Sequence, residues 1–252
     1  MSLHIQRWGE QGSEVLFVHG SITNGEMTWA EQRPLADRWR LLVLDRRGYF
    51  PNPPADHEDF AEDVPDVVEL LGVGTHLVGH SYGAVISLLA AAERPEAVRS
   101  LTVVEPPAFG LAPDDEAARA LSEKLRRHWD QGPDEPEAFL RGFLQCVGSS
   151  AQVPSPLPPP LLQHAKLLMV ERLSTDVVIP LERLREAPFP KLVVSGAHSA
   201  AFDAVCDAVQ EGMGAERAVI PGAGHSAPRT GAPFNDRLEA FLLAAEAAQG
   251  AR

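Results

Sequence analysis

Short apolar runs alternate along this chain with segments whose apolar residues recur at helical spacing, and that alternation restricts the fold more than any other feature of the sequence. Val15 to Val18, Leu41 to Leu44, Leu77 with Val78, and Leu101 to Val104 are rich in β-branched residues and bounded by Gly, Asp, His or Pro. Runs of this kind, without polar alternation, suit strands covered on both faces. Between them Trp29 to Trp39, Asp56 to Leu71 and Ser81 to Glu93 read as helices, with Pro65 expected to kink the second. Leu3 to Trp8 reads as an edge strand. Strand and helix in strict alternation imply an α/β fold, a doubly wound, mostly parallel sheet with helices on both faces.

The alternation stops at Gly110 and returns only after Pro190. Helical patterns at Asp114 to Gln131, Pro136 to Val147, Leu161 to Ser174 and Leu181 to Glu186, with a proline-rich connection at Pro154 to Pro160, fill the interval. Strands then resume at Lys191 to Ser195 and Arg217 to Ile220, with helices at Phe202 to Glu211 and Asn235 to Ala248. The expected organisation is a core of residues 1–109 and 188–252 interrupted by a helical cap, 110–187.

Charge narrows the partners. Against 35 Asp and Glu the 252 residues carry 22 Lys and Arg, a net charge of −13, and the densest basic cluster is only Lys124, Arg126 and Arg127. Such a surface repels phosphate backbones and anionic headgroups, so neither nucleic acid nor membrane is expected as a partner. Cys146 and Cys206 could form one bridge at most and lack metal-ligand spacing. No apolar leader or run of 18 apolar residues is present, and the reading expects a soluble cytoplasmic protein acting on a small molecule, its oligomeric state open.

Gly79-His80-Ser81-Tyr82-Gly83 stands between a strand run and a helix. A serine on so tight a turn takes up a strained backbone, and glycines two residues to either side let strand and helix approach. The hydroxyl is thereby lifted out of the turn, beside helix N–H groups that favour developing negative charge. Ser81 is the expected nucleophile.

With three further motifs in the same order, the chain resembles the α/β-hydrolases over nearly its whole length outside the cap. Val15-Leu16-Phe17-Val18-His19-Gly20 resembles the strand and turn carrying the oxyanion loop, Asp45-Arg46-Arg47-Gly48 resembles the D-x-R-G turn, and Pro221-Gly222-Ala223-Gly224-His225 resembles the loop of the catalytic histidine. The resemblance implies His225 as general base, which suits a serine hydroxyl that needs an acceptor titrating near working pH. His80 is expected to face away from the nucleophile and His19 to brace the oxyanion loop. His4, His57, His76, His128 and His164 read as surface or packing residues.

The acid departs from the commonest pattern of that superfamily. Where Gly-x-x-Asp is usual, this chain has Gly196-Ala197-His198-Ser199. Glu105, at the end of the strand that follows the nucleophile helix, is favoured, because functional residues of parallel sheets gather at the carboxyl ends of strands and Pro106 and Pro107 would fix the outgoing chain. Haloalkane dehalogenases and certain lactonases carry their acid after this strand, the sixth in the superfamily's numbering. Asp203 is the alternative; a third possibility is that no acid is present.

The resemblance further implies an oxyanion hole from the backbone N–H groups of Tyr82 and Ser21, with Ile22 as the fallback donor. Ile22, Phe109, Trp129, Phe139, Phe143, Leu168 and Met169 are the candidates for lining an apolar chamber above Ser81, with Tyr49 and Phe50 nearby; packing of cap on core is the alternative for each. The expected activity is cofactor-free, metal-free hydrolysis of an ester or lactone of a small, largely apolar substrate by a Ser-His-Glu triad. Other chemistry on the same triad (carbon–carbon hydrolysis, perhydrolysis, a lyase reaction) or a non-catalytic ligand-binding role are the rival readings.

Overall fold

The computed structural model describes residues 3–149 and 151–250. Seven strands, β1 (Ile5–Trp8), β2 (Glu14–Val18), β3 (Arg40–Leu44), β4 (Thr75–His80), β5 (Val98–Val104), β6 (Lys191–Ser195) and β7 (Glu216–Val219), form one sheet in the order β1-β3-β2-β4-β5-β6-β7. Only β1 runs antiparallel, at the edge beside β3.

Successive side chains of each strand serve opposite faces, as the pleat requires. Leu16, Val18, Leu77, Leu101, Val103 and Val193 pack under α2 (Phe60–Leu70), α3 (Tyr82–Glu93) and α8 (Ala200–Met213). Val15, Phe17, Val78, Val104, Leu192 and Val194 meet Trp29 of α1 (Gly25–Trp29) and Phe234, Leu238 and Phe241 of α9 (Ala232–Gly250). Both faces are covered, which is why these runs lack polar alternation.

Two helices before the insertion differ from the sequence pattern. The Trp29 to Trp39 stretch divides into α1 and a 3-10 segment, Ala30–Asp37, in which Pro34 cannot donate to an α-helical ladder. The next helix starts at Phe60, capped by the Asp59 carboxylate on the Ala61 N–H at 2.8 Å, and continues through Pro65.

The inserted segment builds α4 (Glu116–Gln131), α5 (Pro136–Cys146) and α6 (Pro159–Met169) around a small core of their own, with Phe139, Leu140, Leu144, Ala165 and Leu168 buried. The expected helix from Leu161 to Ser174 stops at Met169, because the chain then runs extended beside Glu58, where the Arg172 N–H donates to the Glu58 carbonyl at 2.7 Å. The fourth expected cap helix, α7 (Leu181–Glu186), packs on α3 and α8 and so lies with the core layer. Among the described residues no helix is long and apolar enough to cross a membrane.

Strand register positions the site. Val18 pairs with Gly79, His80 with Val104, and Val104 with Val194, so β2, β4, β5 and β6 end side by side. Four consecutive turns, carrying Gly20, Ser81, Glu105 and Gly196, therefore meet at one edge of the sheet.

Candidate active site

Ser81 has φ 54° and ψ −125°, a left-handed conformation that costs an L-residue of order 1–3 kcal/mol. All the described non-glycine residues with positive φ, namely Ile22, Ser81, Glu105 and Ala197, lie on the turns around this edge. Glycine is required on either side of the elbow by space: a Cβ on Gly79 would lie 2.4 Å from Ser87 Oγ, and one on Gly83 would lie 2.3 Å from the His19 carbonyl oxygen.

His225 arrives on the loop after β7. Its Nε2 is 2.9 Å from Ser81 Oγ and its Nδ1 is 2.7 Å from Glu105 Oε2. Because a carboxylate only accepts, Nδ1 carries the proton and the Nε2 lone pair faces the hydroxyl. His80 donates from Nε2 to the His225 carbonyl at 2.8 Å, tying that loop to the elbow. Burial drives the His80 pKa down to about 3, so its ring stays neutral.

Glu105 is fully buried at the end of β5, the fifth strand here. Burial by itself would raise its pKa, but contacts from His198 and His225 and the Gly196 N–H, which donates to Oε1 at 2.7 Å, outweigh it and hold the group at about 2. His198 Nδ1 lies 3.3 Å from the same Oε1, and the carboxylate raises the pKa of that ring. Asp203 is engaged elsewhere. In the first turn of α8 it accepts from Ser195 Oγ at 2.6 Å and pairs with Arg217 at 3.2 Å. Donor atoms of Glu105, His198 and His225 lie within 4.8 Å of one another, a metal-like spacing, but a metal there would have to break the 2.7 Å Glu105–His225 bond.

The turn after β2 is shaped by Arg46, which donates from Nε to the His19 carbonyl and from Nη2 to the Gly20 carbonyl, each at 3.0 Å. A trans peptide points its N–H opposite its carbonyl, so holding the Gly20 oxygen turns the Ser21 N–H away from Arg46. Gly20 also lies close against Ser81: a Cβ there would sit 2.8 Å from Ser81 Cβ. His19 braces the turn, donating from Nδ1 to the Gly20 carbonyl at 2.7 Å and accepting from the Arg46 N–H at 3.0 Å. The Tyr82 N–H opens α3 and has no intrahelical acceptor. The arrangement offers a hydroxyl, a base, a buried anion behind the base, and main-chain donors beside the hydroxyl.

A narrow chamber of about 30 Å³ lies over Ser81 and His225, walled by Leu125, Trp129, Phe143, Val147, Phe202 and Glu171. That is far smaller than the few hundred Å³ of an ordinary ligand cleft. A larger opening of about 520 Å³ lies behind His225 and does not include Ser81. Of the chamber candidates, Trp129 and Phe143 reach it. Phe109 does not: it is buried against Phe202, ring centroids 5.2 Å apart, in the core layer. Met169 and Ile22 pack on the cap's internal core instead, joining the buried Phe139 and Leu168. Tyr49 is buried with its hydroxyl on Glu58, and Phe50 is exposed.

His198, Phe202 and Glu171 escaped the sequence reading. Phe202 lies 4.6 Å from the His225 ring between centroids. His198 sits in the stretch searched for an aspartate, so its place was visible and its partner was not. For Glu171, at the end of an apolar cap helix, the sequence carries no signal.

Residues 15–231 match the family described as alpha/beta hydrolase fold, and the chain belongs to that family. Among curated relatives, a 2-(acetamidomethylene)succinate hydrolase of Mesorhizobium japonicum is 27% identical over 243 residues, 89% of this chain and 85% of the relative. A pimeloyl-[acyl-carrier protein] methyl ester esterase of Aeromonas hydrophila is 30% identical over 123 residues, 45% of this chain and 48% of the relative. Among solved structures, an N-acyl homoserine lactone degrading enzyme is 25% identical with a TM-score of 0.62, covering 95% of this chain and 96% of that one. These likenesses place the chain among the hydrolases.

Proposed function

We propose that the protein is a serine hydrolase cleaving a carboxylic ester or lactone of a small, largely apolar substrate, with Ser81 as nucleophile, His225 as base and Glu105 as the acid that orients it. The observation that carries this reading is the unbroken chain from Ser81 Oγ to His225 Nε2 at 2.9 Å and from His225 Nδ1 to Glu105 Oε2 at 2.7 Å. In the first step Ser81 Oγ attacks the acyl carbon as His225 takes its proton; the Tyr82 and Ser21 N–H groups hold the oxyanion, and His225 returns the proton to the leaving alcohol. Water, activated by the same Nε2, then releases the acid. Glu105 stays ionised throughout, fixing the ring and stabilising its cationic form. Every proton moves between these side chains, substrate and water.

Ester and lactone cleavage is supported by what the esterase and the lactone-degrading enzyme act on. A dicarboxylate such as the Mesorhizobium relative's substrate suits this chamber less: its described lining has no Lys or Arg and does have Glu171. The test is fluorophosphonate labelling read by mass spectrometry, in wild type and in His225→Ala, followed by a panel of esters and lactones. An adduct on Ser81 that needs His225 is the expected outcome; an accessible Ser81 that stays unlabelled refutes the reading.

A further inference from the structure

The two residues proposed above to supply the oxyanion donors are both tied, through their side chains, to one short stretch of the cap's return. Ser21 Oγ donates to Glu171 Oε2 at 2.5 Å, and Tyr82 OH donates to the Arg172 carbonyl at 2.9 Å. That stretch is fixed from both sides. The Arg172 N–H donates to the Glu58 carbonyl at 2.7 Å, and Trp129 of α4, a wall of the chamber, donates from Nε1 to the Glu171 carbonyl at 2.9 Å.

Glu171 is 7% exposed and belongs to a buried group of three carboxyls around one guanidinium. Arg46 pairs with Glu58 at 2.5 Å and Asp63 at 2.8 Å, and Tyr49 OH donates to Glu58 at 2.9 Å. No cation is left for Glu171. Burial, then the charge of Glu58, pushes its pKa well above the usual carboxyl value, and since Glu58, unlike Glu171, pairs with the guanidinium and accepts from the phenol, the proton resides on Glu171. One of its oxygens accepts from Ser21 Oγ.

We propose that Glu171 is a positioning residue, working as a neutral acid, that clamps Ser21 and so aligns the oxyanion donors with the seating of the cap. The clamp joins Trp129, which a substrate touches, to the Ser21 peptide, which the transition state touches. This inference rests on the serine-hydrolase reading above.

The test uses p-nitrophenyl acetate hydrolysis by Glu171→Leu, Glu171→Gln, Ser21→Ala and the Glu171→Leu/Ser21→Ala pair. Loss of alignment shows in kcat on the order of 10- to 100-fold, less than removal of a donor, with KM within about twofold. The pair should lose no more than the worse single variant, because both cut one contact. Glu171→Gln, which reproduces a neutral acid with one acceptor and one donor, should recover to within about threefold of wild type. Ser21→Ala removes the contact from a half-buried hydroxyl and keeps the test alive if Glu171→Leu does not fold. Wild-type kcat in Ser21→Ala, a change confined to KM, or Gln as damaging as Leu overturns the proposal. Ser81→Ala run alongside separates the two readings: if it retains turnover, the serine mechanism fails and the clamp with it, whereas its inactivity beside an unimpaired Ser21→Ala sinks the clamp alone.

Discussion

Glu105→Gln isolates the acid with almost no change in volume. Both carboxylate oxygens act as acceptors, Oε1 for the Gly196 N–H and Oε2 for His225 Nδ1, each at 2.7 Å, while glutamine offers one acceptor and one donor. With the amide oxygen towards His225, the NH₂ meets the Gly196 N–H and leaves a buried donor unpaired, at a cost of about 1–3 kcal/mol. With it towards Gly196, the NH₂ donates to Nδ1 and the ring must carry its proton on Nε2, facing Ser81, where it can accept nothing. The second arrangement leaves every buried group paired and is the favoured one. Activity should then fall roughly 10³- to 10⁴-fold in kcat, as when a triad acid presents the wrong tautomer, which is about 4–5 kcal/mol of transition-state stabilisation. Steady-state hydrolysis of p-nitrophenyl acetate near pH 7.5, on protein shown to be folded by circular dichroism, measures it. Asp203→Asn, whose partners are Ser195 and Arg217, should stay within about threefold of wild type. A folded Glu105→Gln enzyme within tenfold of wild type, or a reversed order of the two variants, would refute the reasoning.

Four further outcomes follow from the packing and charges. Arg46→Met strands Glu58 and Asp63 without their cation and should cost about 3–5 kcal/mol, seen as a fall in Tm of roughly 6–20 °C by calorimetry. Gly83→Ala drives a methyl into the His19 carbonyl, so both Tm, through about 1–3 kcal/mol of overpacking, and Ser81 labelling should drop. Phe143→Ala widens the chamber, and kcat/KM for p-nitrophenyl hexanoate relative to acetate should rise about three- to tenfold. The Glu105 pKa lies at about 2 in the fold against 4.5 for the free side chain, so its contribution of about 3 kcal/mol is complete above pH 4.5 and is lost as pH falls through about 2. Urea unfolding across that window should show a shallower pH dependence in Glu105→Gln than in wild type.

Local chemistry made much of this molecule readable in one dimension. The runs Val15 to Val18 and Leu101 to Val104 lack polar alternation because both faces of the sheet are covered, and Gly79 and Gly83 flank Ser81 because no Cβ fits there. Such demands act within a few residues, so they leave a mark in the order of residues. The place of Glu105 was legible for a related reason: a carboxylate ending a buried parallel strand has few places to be except the edge where the turns after β2, β4, β5 and β6 meet.

What depended on contacts between distant segments was not written locally. Phe109 reads as a chamber residue until Phe202, 93 positions away (202 − 109), covers its ring. Glu171 follows an ordinary apolar helix, and only the fold brings it to Ser21, 150 residues off, beside a guanidinium already claimed by Glu58 and Asp63. Strand periodicity and turn sterics determined the sheet, the elbow and the edge where chemistry can occur, because each is enforced by neighbours in the chain. Tertiary structure decided which carboxyl is held ionised, which is pushed towards its neutral form and which rings line the chamber, because burial and Coulomb partners are properties of the packed neighbourhood and not of the sequence around a residue.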